Sequence, residues 1–181
     1  MDSGDEPFAF AESVGLCEAQ PMSANRIAKV TLDEATLLWR NPDVEQEREV
    51  ALRDLEADNV FTPIRAAEKG HRGPWALRLA VAGNGLAMAV RDRDGRDAGS
   101  IGLGLARFRR VVREYFAICD SYYKAMRKAS ATEIETLDMA RRAIHDRGTR
   151  QLLEALEGKA ETDFATARRL FTLICVLHIK A

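Results

Sequence analysis

Four side chains form the clearest set that could do chemistry: Asp138, Arg141, Arg142 and His145. Steps of three, four and seven place them on neighbouring positions of one helix face. A carboxylate, guanidinium groups and an imidazole together can carry general acid–base work on an anionic substrate. The same four residues can also be an ion-pair network docking this helix on another, and that structural account is the simpler one. A second constellation is Gly99-Ser100-Ile101-Gly102-Leu103-Gly104, which runs into a helix bearing Arg107, Arg109, Arg110 and Arg113. Free amides and the dipole at a helix start attract anions, so Arg109, Arg110 and Arg113 join the candidate anion-binding cluster. No phosphate motif is complete: a dinucleotide fingerprint needs glycine where Arg107 stands, and the P-loop Lys and Ser/Thr are missing. A sheet strand followed by solvated arginines is the favoured account of this stretch.

The remaining reactive types point to structure. Adjacent tyrosines on a helix diverge by about 100°, so one of Tyr122 and Tyr123 is expected in the core and the other partly exposed. His71 lies in a glycine-rich loop and His178 ends an apolar helix, and no two histidines have the i, i+4 spacing of a helical metal site. Cys17, Cys119 and Cys175 are odd in number and far apart, without a CxxC pair. That spacing supports neither a disulfide framework nor a zinc site, and the last two fall in apolar helical patterns, as buried thiols do. The sequence therefore predicts no metal and no cofactor, and it leaves open whether the chain is an enzyme.

The elements that must position these residues follow from hydrophobic period. Ala28, Val30 and Leu32 alternate as a strand, and Thr36 to Arg40 suggests a short second one. Asn41-Pro42 reads as a helix start, with Val44, Ala51, Leu52 and Leu55 marking one face of a helix that ends near Asp58. Residues 62–74, with Pro63, Gly70, Gly73 and Pro74, read as a loop. Trp75, Leu77, Leu79 and Val81 share one strand face and Leu86, Met88 and Val90 another, joined by a hairpin at Gly83-Asn84-Gly85. Their other faces, mostly alanine with Arg78 and Arg91, are expected to be solvated. Ile101, Leu103 and Leu105 alternate next. From about Ala106, Phe108, Val112, Tyr115, Cys119, Tyr122 and Met126 step as a mostly buried helix. Ser130 with Glu133 forms a capping box. Gly148 is expected to end that helix, and Thr149 to Glu157 to form a separate short one. Asp163 is a cap for a last helix that is apolar nearly all round. Strands first and helices last indicate an α+β fold: an antiparallel sheet of about four to five strands packed against about four to five helices.

The 181 residues suit one domain, and the hydrophobic and charged shares, 46% and 30%, are near the globular average. Residues 1–25 hold Asp2, Asp5, Glu6, Glu12 and Glu18 with no basic residue, a charge of −5 that leaves +4 elsewhere in a chain totalling −1. We read residues 1–24 as a flexible acidic N-terminal extension, with Met22 as an alternative start, and residues 25–181 as a single α+β domain. No signal peptide is visible, and the longest apolar run, Leu170 to Ile179, broken by Thr172 and His178, is far short of the ~20 residues of a membrane span. A cytoplasmic location is expected.

From about Arg26 to His178 the chain also resembles a bacterial uncharacterised protein family, number 0262, which has no assigned function. The resemblance rests on Arg26-Ile27-Ala28 with Leu32-Asp33, on Asn41-Pro42 with Val44 and Glu47-Arg48, and on Phe108-Arg109-Arg110 through Ser121-Tyr122-Tyr123. Asp138-Met139, Arg141-Arg142, His145 and Gly148 follow, and then the distinctive block from Asp163-Phe164 to His178. It implies no activity and no catalytic residue. The favoured reading is a non-enzymatic interaction or regulatory protein with a protein partner or homo-oligomer, which requires an exposed apolar patch of several hundred Å². The first alternative is an enzyme or binder of a small anionic ligand, which requires the Arg/Asp/His cluster to meet one pocket. The second, nucleic-acid binding, requires Arg110, Arg113, Arg142, Arg150 and Arg168 to form one positive surface. Four net positive charges spread over a domain make nucleic acid an unexpected partner.

Overall fold

A computed structural model describes residues 24–33 and 42–178. The acidic extension up to residue 23, the suggested strand at Thr36 to Arg40 and the cap at Asn41 lie outside them. Six strands and five helices run in the order β1 (Ile27–Leu32), α1 (Pro42–Ala57), β2 (Phe61–Pro63), α2 (Ile64–Glu68), β3 (Trp75–Ala82), β4 (Gly85–Arg91), β5 (Asp97–Gly104), α3 (Arg109–Ala125), α4 (Ala131–Leu156), β6 (Ala160–Thr162) and α5 (Phe164–His178). A 3-10 turn, Leu105–Phe108, leads into α3.

The main sheet has the order β1-β3-β4-β5. Its β3–β4 and β4–β5 pairs are antiparallel, as expected, but β1 runs parallel to β3. The sheet is therefore mixed. A parallel pair needs a long crossover, usually a helix, and the segment containing α1 supplies it. The β3–β4 hairpin closes through Gly83, whose φ of 59° suits a left-handed turn residue. The alternation in β3 and β4 does what its period implies: Trp75, Leu77, Leu79, Leu86, Met88 and Val90 are buried, and Arg78 and Arg91 are exposed on the far face. The helices cover the apolar face alone, and one core cluster runs from Leu79 and Met88 of the sheet through Phe108 to Leu170 and Phe171 of α5.

The two edges of the main sheet are treated differently among the described residues. Along β1, Asn59 donates from Nδ2 to the Ile27 carbonyl (2.8 Å) and accepts from Ile27 N (2.6 Å), while Glu56 accepts from Val30 N (3.1 Å). Side chains after and at the end of α1 thus occupy the place of a further strand. The outer edge of β5 carries no comparable side-chain ladder; Gly102 O instead accepts from Lys159 Nζ at 3.2 Å.

Two further sequence expectations need correcting, and one cap is borne out. Residues 62–74 are not all loop, because β2 ends there, α2 lies there, and β2 pairs antiparallel with β6. Three-residue strands are too short to show a period. Gly148 does not end a helix: α4 continues unbroken for 26 residues, capped by Ser130, which accepts from Glu133 N. Gly148 is buried under the Phe171 ring, where a Cβ would collide with Cζ and Cε1. Its glycine serves close approach of α5, and the C-terminal stop falls at Gly158, with φ 68°. Asp163, expected to cap α5, accepts from Thr166 N at 2.7 Å.

Candidate functional site

Helices α1, α3, α4 and α5 border an open cleft of about 720 Å³. Its polar groups come from all four. Glu47 projects from α1 and accepts two phenolic hydrogen bonds from α3, Tyr115 Oη to Oε2 and Tyr123 Oη to Oε1, each 3.2 Å. Arg141 of α4 stands 3.9 Å from Glu47 Oε1 and is held by Asp138 Oδ1 at 2.9 Å, while Arg142 takes the other Asp138 oxygen at 2.7 Å. Those guanidinium bonds, led by the one from Arg141, keep the Asp138 carboxyl below the usual range. The Arg141 guanidinium also lies over the Tyr122 ring, 5.3 Å from its centroid.

His145 lies one turn further along α4 and is only 5% exposed. Its ring is wedged edge-on between Tyr115 and Phe171, with both centroids 5.1 Å away. Nε2 is 3.0 Å from Thr172 Oγ1, and Thr172 donates its single proton to the Arg168 carbonyl (3.3 Å). A hydroxyl with its proton committed accepts, which puts the imidazole proton on Nε2 and leaves Nδ1 as a bare acceptor. Nδ1 is buried and has no hydrogen-bond partner among the described residues. Burial, with Arg168 and Arg141 close by, pulls the imidazole pKa down to about 4, so His145 is neutral near pH 7. Burial also raises the Tyr115 phenol and pushes the Cys119 thiol up to about 11, with Cys175 well above its ordinary value. Both cysteines are packing groups, as the sequence indicates.

Arg168 and Arg169 of α5 form the opposite wall. Arg168 has Asp146 at 3.7 Å; Arg169 donates to the Asp58 carbonyl and lies 3.9 Å from its carboxylate. Both arginines line the cleft, with no carboxylate nearer than 3.7 Å among the described residues. The lining carries Glu47 and Asp54 against Arg141, Arg168 and Arg169, an excess of one positive charge.

Of the seven residues singled out in the sequence, Arg141 and His145 line this cleft, and Asp138 and Arg142 adjoin it as the group that fixes Arg141. Arg109, Arg110 and Arg113 are exposed on α3 away from it; Arg110 pairs with Glu114 at 2.8 Å, and Glu114 also holds Arg147. Glu47, Tyr115, Thr172, Arg168 and Arg169 are additional members. Thr172 had a visible signal, as one of two polar interruptions in the apolar run of α5. Glu47 had none, since its partners lie 68 and 76 residues away. Neither of the adjacent tyrosines is in the core: Tyr122 and Tyr123 are both half-buried.

Exposed large apolar side chains among the described residues are Val50, Val60, Met126, Met139 and Phe164, distributed over α1, the segment before β2, the end of α3, α4 and α5 rather than gathered on one element. Arg110, Arg142 and Arg168 each have a carboxylate partner, and Arg150 lies over the Phe164 ring. No helix among the described residues is long and apolar enough to cross a membrane, and no cluster of His, Cys, Asp and Glu there could hold a metal ion. His71, also noted in the sequence, bonds through Nδ1 to buried Asp92 (2.8 Å), whose other oxygen accepts from Asp94 N and Arg96 N; this set organises the β4–β5 turn.

If Glu47 is the hub of the cleft, Glu47→Ala strands two phenols and should cost about 1–2 kcal/mol in urea unfolding. Glu47→Gln, which retains an acceptor, should cost clearly less. Equal losses would mean that the carboxylate's contacts are incidental.

A family model described as "Uncharacterised protein family (UPF0262)" matches residues 24–180. The chain is 60% identical over 159 residues to a UPF0262 protein of Erythrobacter litoralis, covering 88% of this chain and 99% of that one. It is 60% identical over 163 residues to one of Novosphingobium aromaticivorans, with the same coverage, and 52% identical to one of Sphingopyxis alaskensis, covering 91% and 99%. No solved structure matches.

Proposed function

The chain belongs to the uncharacterised protein family UPF0262, which brings no activity with it, and we propose from the cleft itself that it binds a small anionic ligand between α1, α3, α4 and α5. One observation carries this reading: Arg141, Arg168, Arg169, neutral His145 and the Glu47–tyrosine pair all converge on a single cleft of about 720 Å³. That volume lies within the range of small-molecule sites, and a few placed polar groups over an aromatic floor are their usual lining. Arg168 and Arg169 meet the anionic end of the ligand. Glu47, held by two phenols, selects against a second negative charge at the other wall and accepts from a hydroxyl or amine. Asp138 and Arg142 act through Arg141 by fixing its plane.

Native mass spectrometry of the protein purified from its own cells tests this. The expected result is a reproducible small-molecule adduct that is lost in Arg168→Ala and Arg141→Ala and kept in Arg109→Ala. An adduct that survives both cleft variants, or a protein that carries only a stoichiometric protein partner, would reject the reading and restore the interaction class.

A further inference from the structure

The second constellation of the sequence, the glycine-rich strand β5, reaches a different place. Its outer edge and α2 border a separate groove of about 280 Å³. Three cations line it, Arg65 of α2, Lys69 just after that helix and Lys159 just before β6, and no carboxylate does. None of the three has an ion-pair partner among the described residues. Elsewhere on this molecule guanidinium groups are commonly paired, as Arg110, Arg141, Arg142, Arg147 and Arg168 are. Asp97, next to the lining residue Ala98, is turned to Gly99 N (2.8 Å), and Glu68, Glu157 and Glu161, close to the cations in sequence, are exposed outside the lining.

The backbone adds donors. Gly102 O faces away from β4, since it accepts from Lys159 Nζ. In a strand the N–H and C=O of one residue point to the same side, and those two residues away do likewise. Gly102 N–H and Ser100 N–H therefore point into the groove. The side-chain position of Gly102 points to the exposed face of the sheet, opposite buried Ile101, so Gly102 meets the groove through its backbone alone. The β1 edge, closed by Asn59 and Glu56, shows how this protein treats an edge that needs only protection.

We infer that the β5–α2 groove is a second anion site, independent of the helical cleft, which takes a compact phosphate group, as the free ion or as the monoester of a small molecule. Outward strand amides with convergent Lys and Arg are the donor set that phosphate oxygens require. The small volume excludes a folded partner's side and favours a single phosphoryl group with little attached.

The test is titration of the full chain with inorganic phosphate and with glycerol phosphate, followed by amide chemical shifts, with sodium sulfate and sodium chloride as controls. Saturable shifts centred on Ser100, Gly102 and Lys159 are expected. Tighter binding of glycerol phosphate would name the monoester as the ligand, and tighter binding of inorganic phosphate the free ion. Lys159→Ala should weaken binding about tenfold. Lys69→Glu, at an exposed position of the lining, replaces a cation by a repelling carboxylate and should abolish it while leaving the thermal transition in place. Arg168→Ala should leave it unchanged, which separates this site from the helical cleft. Shifts that match chloride at equal ionic strength, or that persist in Lys69→Glu, would overturn the assignment.

Discussion

Gly148→Ala should destabilise this protein by about 3 kcal/mol, although alanine is the better helix former. In an exposed helix interior the exchange gains about 1 kcal/mol. Here the added methyl would sit inside the Phe171 ring, which is itself fully buried. Overpacking a tight core typically costs 1–3 kcal/mol, and neither α4 nor the ring has room to retreat. The midpoint of thermal unfolding should fall by roughly 6–12 °C for a chain of this size. The partner identifies the cause. In a Phe171→Leu background the same substitution should cost much less, or stabilise, a departure from additivity expected only for residues in contact. A similar loss in both backgrounds would place the cost in the helix backbone and not in the α4–α5 contact.

The second large effect is acid sensitivity through His145. Burial lowers its folded pKa to about 4, against about 6.5 unfolded. Between those values the unfolded chain binds a proton that the folded chain does not, so stability rises with pH there. Full stability from this group is present above pH 6.5 and is lost as pH falls toward 4, by about 3 kcal/mol in total. His145→Gln keeps a donor for Thr172 but cannot titrate. Denaturant unfolding between pH 7 and 4.5 should therefore fall steeply in the natural protein and more gently in the variant. Carboxylates such as Asp138 and Asp92, held low by guanidinium and imidazole bonds respectively, titrate in both proteins and cancel in the difference. Parallel curves would show that His145 charges freely in the folded state.

How far the sequence reached depended on range. Period two in β3 and β4 and the apolar wrap of α5 are local patterns, and they located the sheet face and the core helix correctly. Caps at Ser130 and Asp163 are local too. What the sequence concealed is non-local. The alternation of Ala28, Val30 and Leu32 says nothing of strand direction, which depends on a crossover and a partner at Trp75–Leu79, and a register shift near Lys29 makes Ile27 and Val30 the buried pair instead. Gly148 carries the signature of a helix stop, and only Phe171, 23 positions away, shows that it is a contact surface instead. The candidate site divides the same way. Arg141 and His145 were legible because residues one turn apart on a helix share a face. Glu47 and Arg168 were not, because nothing in their own surroundings says that α1 and α5 flank α4. The α3 arginines looked alike in type but diverge in place, since α3 turns them to solvent.

The β2–β6 ladder has a bearing on how the chain is made. Phe61 pairs with Thr162 and Pro63 with Ala160, so a buried phenylalanine near the first third of the chain waits for a strand about a hundred residues later. On a ribosome adding about 5–20 residues each second, that interval lasts roughly 5–20 s. Through it the apolar face of β3 and β4 has emerged without α5, whose Leu170, Phe171 and Ile174 complete the same core. A nascent chain in that state exposes both the sheet face and the β5 edge to other nascent chains, and its escape from aggregation depends on the speed of translation through α3 and α4.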